Sequence, residues 1–318
     1  MPTVGWADAE LITPTRLNDL DAGRHNLLVN GGFEVWQRGA GPFNTTNDYT
    51  ADRWVIFEGG TSNVQVDRNT AQADTPSQYC AAIVYTHNTL SSLFQRFAIS
   101  TDAASVHQLR GKQISFSCRI RTSTASACRI RLEDYDGTNL GTANSSYHTG
   151  GGGYETLYVT LTVQTDATRI EATILLEATA TIYADNAMLV VGSVPTAYVP
   201  MHQADELARC QRYFEVRGAG VSFGIGVGQA ISTTSARAFL NFLVEKAVSP
   251  TITVNNPTNF FTTDATNAEL ACTALTGSAE GLASTTLVVT VASGLVAGNA
   301  TRLKSNNANA TIYIEANP

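Results

Sequence analysis

Charge is what this chain lacks most. Asp, Glu, Lys and Arg make up 15% of its 318 residues, against roughly a quarter in an average soluble protein. The remaining charge leans acidic, with a formal net of -7, which argues against generic nucleic-acid binding because that needs a basic surface. Between Val248 and Ala300 there is neither Lys nor Arg, and only Asp264, Glu269 and Glu280 are acidic. A surface so poor in charge is sticky, so neighbouring copies are expected to cover much of it. Long apolar runs are also missing: none approaches the roughly 18 residues of a membrane-spanning helix, so no membrane insertion is expected. Met1 to Glu10 has neither the basic start nor the apolar core of a signal peptide. Assembly in a cytoplasm is therefore expected, and the Asn-x-Ser/Thr sites at Asn44, Asn144, Asn299 and Asn309 read as chance.

Cysteine is sparse and scattered. Cys80, Cys118, Cys128, Cys210 and Cys272 show no CxxC spacing, which speaks for reduced, buried thiols rather than a disulfide frame or a zinc site. Catalytic motifs are absent too. There is no GxSxG elbow and no HExxH, and the histidines at 25, 87, 107, 148 and 202 lie far apart in sequence, so no catalytic residues are assigned and no enzyme is expected. Gly224-Ile-Gly-Val-Gly228 resembles a phosphate loop only superficially. No lysine or helix follows it, and it reads as a glycine-rich strand packed closely on a neighbour.

Period-two alternation is what the chain does have. Ile114, Phe116, Cys118 and Ile120 alternate with polar residues, as do Cys128, Ile130 and Leu132, and Leu157, Val159, Leu161 and Val163. Such alternation means antiparallel strands with one buried and one solvated face. Strand signals run from about 27 to 200, broken by loops at Asp136-Gly137 and Gly150–Gly153. Gln203 to Phe214 reads as the one convincing helix, with Leu207, Cys210 and Phe214 on one face. Alternation returns with Val221, Phe223, Ile225 and Val227, followed by strands at Phe239 to Val244, Thr251 to Val254, Leu287 to Val291 and Thr311 to Ile314.

The fold expected is mainly β: an N-terminal leader over 1–25, a β-sandwich over 26–200, a linking helix over 201–217, and a C-terminal β-sandwich domain over 218–318 that oligomerises. With Asn26–Trp36 opening it and Ile182–Gly192 closing it, the region 26–200 resembles a jelly roll of the galactose-binding or carbohydrate-binding-module kind. The leader carries Trp6, Ile12, Leu17 and Leu20 on a stretch too short to bury them by itself, so these four are expected to dock on a partner.

Three segments together resemble bacteriophage tail-fibre and virion appendage proteins: Asn26–Gly39 (NLLVNGGFEVWQRG), Tyr49–Trp54 (YTADRW) and Tyr198–Phe214 (YVPMHQADELARCQRYF). Arg237 to Val244, Ser249 to Val254 and the closing Ala310–Ala316 look like the C-terminal β-domain of those proteins. The resemblance implies a structural protein of the virion, assembled in the bacterial host cytoplasm: a short tail fibre for host attachment, or alternatively a head fibre or capsid decoration protein. It implies a homotrimer, other virion structural proteins as partners through the leader, and a host surface glycan as ligand. A stand-alone carbohydrate-binding module is a weaker alternative. The same resemblance implies a structural calcium held by Glu34 and Asp185, near the opening and closing strands, since calcium takes hard oxygen ligands. On the residues alone, Glu34 pairs with an arginine and Asp185 caps a turn. Asp52-Arg53-Trp54 reads either as a sugar-stacking site or, with more weight, as core at Trp54 with Arg53 paired beside it. Arg119, Arg121, Arg129 and Arg131 form one basic stripe if their two strands pair, or an ordinary solvated face.

Overall fold

The computed structural model describes residues 26–317 apart from 61, 62, 219, 265, 279 and 280. Trp6, Ile12, Leu17 and Leu20 lie outside the described residues. The chain divides into two compact units, one running to His202 apart from Ser100–Ala103, the other comprising Gln203–Pro318 with that short piece.

The first unit is a sandwich of two five-stranded antiparallel sheets. One contains β2 (Asn63–Asn69), β3 (Cys80–Thr86), β5 (Gln113–Arg121), β8 (Tyr154–Thr162) and β10 (Ala180–Val191), in the order β2-β3-β10-β5-β8. The other contains β1 (Val55–Phe57), β4 (Ser91–Ala98), β6 (Cys128–Tyr135), β7 (Leu140–Asn144) and β9 (Arg169–Leu176), in the order β1-β4-β9-β6-β7. The alternating apolar residues build the core. Ile114, Phe116, Cys118 and Ile120 of β5 are fully buried, as are Cys128, Ile130 and Leu132 of β6 and Ile170, Ala172, Ile174 and Leu176 of β9. Each isoleucine, leucine and phenylalanine among them contributes about 1.5–3 kcal/mol by leaving water. The five cysteines are buried and free, and burial pushes the Cys80 thiol up to about 11 and that of Cys128 to about 12.

The opening segment is irregular where a strand was expected. Asn26 to Gly39 folds as turns, with Asn30 and Phe33 at positive φ. It nevertheless lies beside the closing strand: the Leu27 amide donates to the Leu189 carbonyl, and Ala187 donates to Gly31. A side chain at Gly31 would run into the Ala187 carbonyl, so glycine is required there. Gln95, fully buried on β4, both donates to and accepts from Val29 and so fixes the segment to the second sheet.

A helix that the sequence reading did not foresee, α1 (Ile99–Leu109), follows β4, with non-helical angles at Asp102. Its sequence is largely polar, and Val106 and Leu109, three apart, are its buried anchors. Ile99, Val106 and Leu109 are the large apolar residues of these eleven, and their spacing of seven and three is too sparse a stripe to read as a helix.

The second unit opens with α2 (Gln203–Gln211), shorter than expected. Cys210 of the predicted face is buried, but Phe214 starts β11 (Phe214–Gly218) instead of ending the helix, pairing with Glu315 of β19 (Thr311–Glu315). The chain extends there because a neighbouring strand claims its backbone hydrogen bonds. β19 sits between β11 and β14 (Thr251–Val254) in a three-stranded sheet. The rest closes on itself where two facing sheets were expected. β12 (Gly224–Ala230), β13 (Ser235–Asn241), β15 (Phe260–Thr263), β16 (Glu269–Ser278), β17 (Ser284–Val291) and β18 (Ala300–Ser305) form a barrel in the order β12-β13-β17-β16-β15-β18. Leu287, Val289 and Val291 fill its interior. The glycine-rich segment is an ordinary barrel strand: side chains at Gly226 and Gly228 would strike the carbonyls of Phe239 and Arg237. A register slip between Gly224 and Gly226 breaks the expected alternation, so Ile225 is buried while Val227 is 69% exposed.

Candidate functional site

The outer face of the β1-β4-β9-β6-β7 sheet carries an open groove of about 220 Å³. Strand register lays out its floor. Arg96 of β4 opposes Glu171 of β9, which opposes Glu133 of β6. One row along on the same face come Phe94, Thr173 and Arg131, and the next row holds Ser92 and Leu175. These residues alternate with the core positions, so the pleat that builds the interior also aims this polar set outward. Phe57 of β1 stands at the rim, 49% exposed.

The floor is tied together by charge. Glu171, a largely buried carboxylate, accepts a hydrogen bond from Arg96 Nε at 2.5 Å, and Arg169 Nε forms an ion pair with the same oxygen at 3.1 Å. Arg131 Nη1 lies 2.9 Å from Glu133 and its Nε donates to Asn144 Oδ1. Arg96 also lies over the Phe94 ring and Arg169 over the Tyr135 ring, contacts that hold each guanidinium plane. The Thr173 hydroxyl is buried and has no hydrogen-bond partner among the described residues. Such a surface can hydrogen-bond polyhydroxylated or anionic groups with little reorganisation.

Of the groove residues, Arg131 was expected either in a four-arginine stripe, on condition that β5 and β6 pair, or on an ordinary solvated face; the condition for the stripe is not met. β5 and β6 belong to different sheets, so Arg119 and Arg121 are separated from Arg129 and Arg131. Arg119 pairs with Asp74, Arg121 donates to Gly152, and Arg129 pairs with Glu177. The signal that finds the groove is the run of charges on the non-core phase of three strands, Arg96, Arg131, Glu133, Arg169 and Glu171. It becomes a cluster only once strand order is known.

Trp54 is fully buried, stacks on Phe33 at 4.7 Å and donates through Nε1 to the Asn30 carbonyl. It is core, as the weightier reading had it, and Arg53 donates to the Arg96 carbonyl.

Glu34 and Asp185 come together around one loop. Asp185 Oδ2 accepts from the Asp74 amide at 2.9 Å, and Oδ1 accepts from Ser77 Oγ at 3.0 Å and from the Asn186 amide at 2.7 Å. Glu34 Oε1 accepts from the Gln78 amide at 2.7 Å. Burial, together with the nearby Glu34 charge, pushes the Asp185 carboxyl up to about 7 despite these hydrogen bonds. Glu34 thus meets backbone amides where an arginine partner had been the simple expectation. Among the described residues no Lys or Arg forms an ion pair with either carboxylate; Arg119, the register partner of Asp185, pairs with Asp74 instead. The donor set fits a hard cation in kind, since Asn186 Oδ1 adds a third oxygen beside Ser77. No group of three His, Cys, Asp or Glu side chains with metal-binding spacing occurs among the described residues, so carbonyls and water would complete the shell.

The first unit is a β-sandwich of two five-stranded antiparallel sheets. Solved structures similar to it include the family 22 module and xylanase of Clostridium thermocellum Xyn10B complexed with xylohexaose (8% identity, TM-score 0.37, 48% of this chain and 29% of that one). Others are the family 61 module TmCBM61 with β-1,4-galactotriose (15%, 0.34, 52% and 99%) and the enzymatically active domain of bacteriophage CBA120 tailspike protein 4 (13%, 0.37, 52% and 21%). The chain thus spans under a third of the xylanase and tailspike chains that it matches. No protein-family model matches this sequence, and no curated protein sequence is similar to it.

Proposed function

We propose that this chain is a non-catalytic glycan-binding protein whose first unit takes sugar into the groove on the β1-β4-β9-β6-β7 face. The observation that carries this is the groove floor, where guanidiniums held by Glu171 and Glu133 lie beside a hydroxyl without a partner and an exposed aromatic ring. Sugars are bound by such fixed hydrogen-bonding groups together with an aromatic surface. In this reading Glu34 and Asp185 hold a calcium ion that fixes the loop from Asp74 to Tyr79. Binding of the full chain to a glycan array is the test, with Phe57→Ala as the groove variant. Binding that weakens in the variant supports the reading, and binding that ignores it places the sugar elsewhere.

A second reading adds the setting: the chain is a virion appendage, a short tail fibre or a head fibre, that displays this unit as a homotrimer and docks through residues 1–25. The specific observation in its favour is the outer barrel surface, where Val227 (69% exposed) and Phe239 (51%) are register partners and Phe223 is 54% exposed. Light scattering on the purified chain and immunogold labelling of phage particles test it. A monomer that labels no particle removes it.

A further inference from the structure

We propose that the glycan taken by this groove carries a carboxylate, which docks between Arg96 and Arg169. This rests on the glycan-binding reading and specifies its ligand class. The lining holds three arginines against two glutamates, a local positive excess on a chain of net charge -7. Arg131 is neutralised by Glu133, with two of its nitrogens already engaged. Arg96 and Arg169 are different. Both present Nε to the same Glu171 oxygen, at 2.5 and 3.1 Å, and neither has a hydrogen bond from its terminal amino groups among the described residues.

One buried carboxylate therefore holds two guanidiniums by their inner edges and leaves their outer forks to the groove. The Arg96 side chain is 43% and that of Arg169 34% exposed, so the forks are reachable. Their Cζ atoms lie over the Phe94 and Tyr135 rings, 5.1 and 4.9 Å from the centroids, contacts that restrain both guanidiniums. A planar fork with donors in place matches a carboxylate, which accepts two parallel hydrogen bonds from it. A neutral sugar would use neither the excess charge nor the fork. Glu171 compensates only part of the two positive charges, and an incoming carboxylate completes the balance. The uronic acids and the sialic acids both supply this group.

The experiment is a glycan array bearing neutral oligosaccharides, xylohexaose among them, uronic-acid oligosaccharides and sialylated oligosaccharides. It is probed with the full chain and with Arg96→Gln, Arg169→Gln and, as a control on the second unit, Arg237→Gln. The expected result is retention on one carboxylated class and not on neutral sugars, weakened by salt. Affinity should fall about tenfold in each groove variant, the scale of one charge-assisted contact, and remain in Arg237→Gln. The class retained tells uronate from sialate. Equal retention on neutral sugars overturns the carboxylate while leaving glycan binding in place. Carboxylated glycans held equally well by both groove variants overturn it as well. Retention on no glycan overturns both this inference and the function it rests on.

Discussion

Glu171 and Glu133 are register partners on β9 and β6, a like-charge pair set directly opposite one another. Such a pair is unfavourable unless compensated, and here Arg96, Arg169 and Arg131 compensate it. The two glutamates are not equivalent, because Glu171 receives two guanidiniums and Glu133 one.

That asymmetry predicts the effect of neutralising each. Glu171→Gln should cost about 1–2 kcal/mol, less than a fully buried pair because the arginines are partly solvated. Glu133→Gln removes a repulsion along with an attraction and should change stability by about 0.5 kcal/mol or less. Urea denaturation of both variants checks the order. A larger loss at Glu133 would mean that the clamp is not centred on Glu171.

Asp185 makes a prediction about pH. Its carboxyl titrates near 7 in the folded chain and from an ordinary value of 3.8 otherwise. The folded state therefore holds a proton between those values that the unfolded state has lost. The resulting stability is full below about pH 4 and fades as pH rises through 7. In chelator, the wild type should gain stability relative to Asp185→Asn as pH falls from about 8 to 5, by at most about 1.4 kcal/mol per unit. Denaturation curves for both proteins across that range suffice. A difference independent of pH would show that Asp185 stays ionised.

Calcium should reverse that penalty, since an ion bound only to the native state stabilises it. Added calcium should raise the melting temperature of the full chain near neutral pH by several degrees, and chelator should lower it. Identical melting curves in both would leave the carboxylates held by the loop amides alone.

The second unit has a charged pair of its own. Lys246 and Glu215 are both fully buried, 2.5 Å apart, and Lys246 also donates to the Gln211 carbonyl. Glu215 in turn accepts from the Leu243 amide. Lys246→Ala leaves the buried carboxylate with only Arg217, whose Nε lies 3.5 Å away, and the Leu243 amide, and should cost about 3 kcal/mol, the low end for a broken buried pair. Lys246→Met with Glu215→Leu should recover much of that loss. Thermal denaturation decides, and a single variant as stable as wild type would mean that water reaches the pair.

Local patterns were legible in the sequence; long-range adjacency was not. The phases of β5, β6 and β8 are written in alternation, and Phe116, Ile130 and Val159 of these strands point inward. Which strands neighbour which is not written there, so Arg119 and Arg121 were grouped with Arg129 and Arg131, though their strands lie in opposite sheets. The same blindness hid the groove, whose residues lie between positions 57 and 175 and meet only through strand order. Glu34 and Asp185 were found because resemblance, not periodicity, linked them. Phe214 shows the limit of helical spacing: it falls on the right face, but pairing with β19 extends the chain before it is reached.

The most direct test of the account is where a sugar lands. Amide shifts of the isotope-labelled full chain can be followed as the best-retained oligosaccharide is added. The account predicts that perturbations gather on Ser92 to Arg96, Arg131 to Glu133 and Arg169 to Leu175, with the second unit unchanged. Perturbations confined to the β2-β3-β10-β5-β8 face or to the barrel would contradict it.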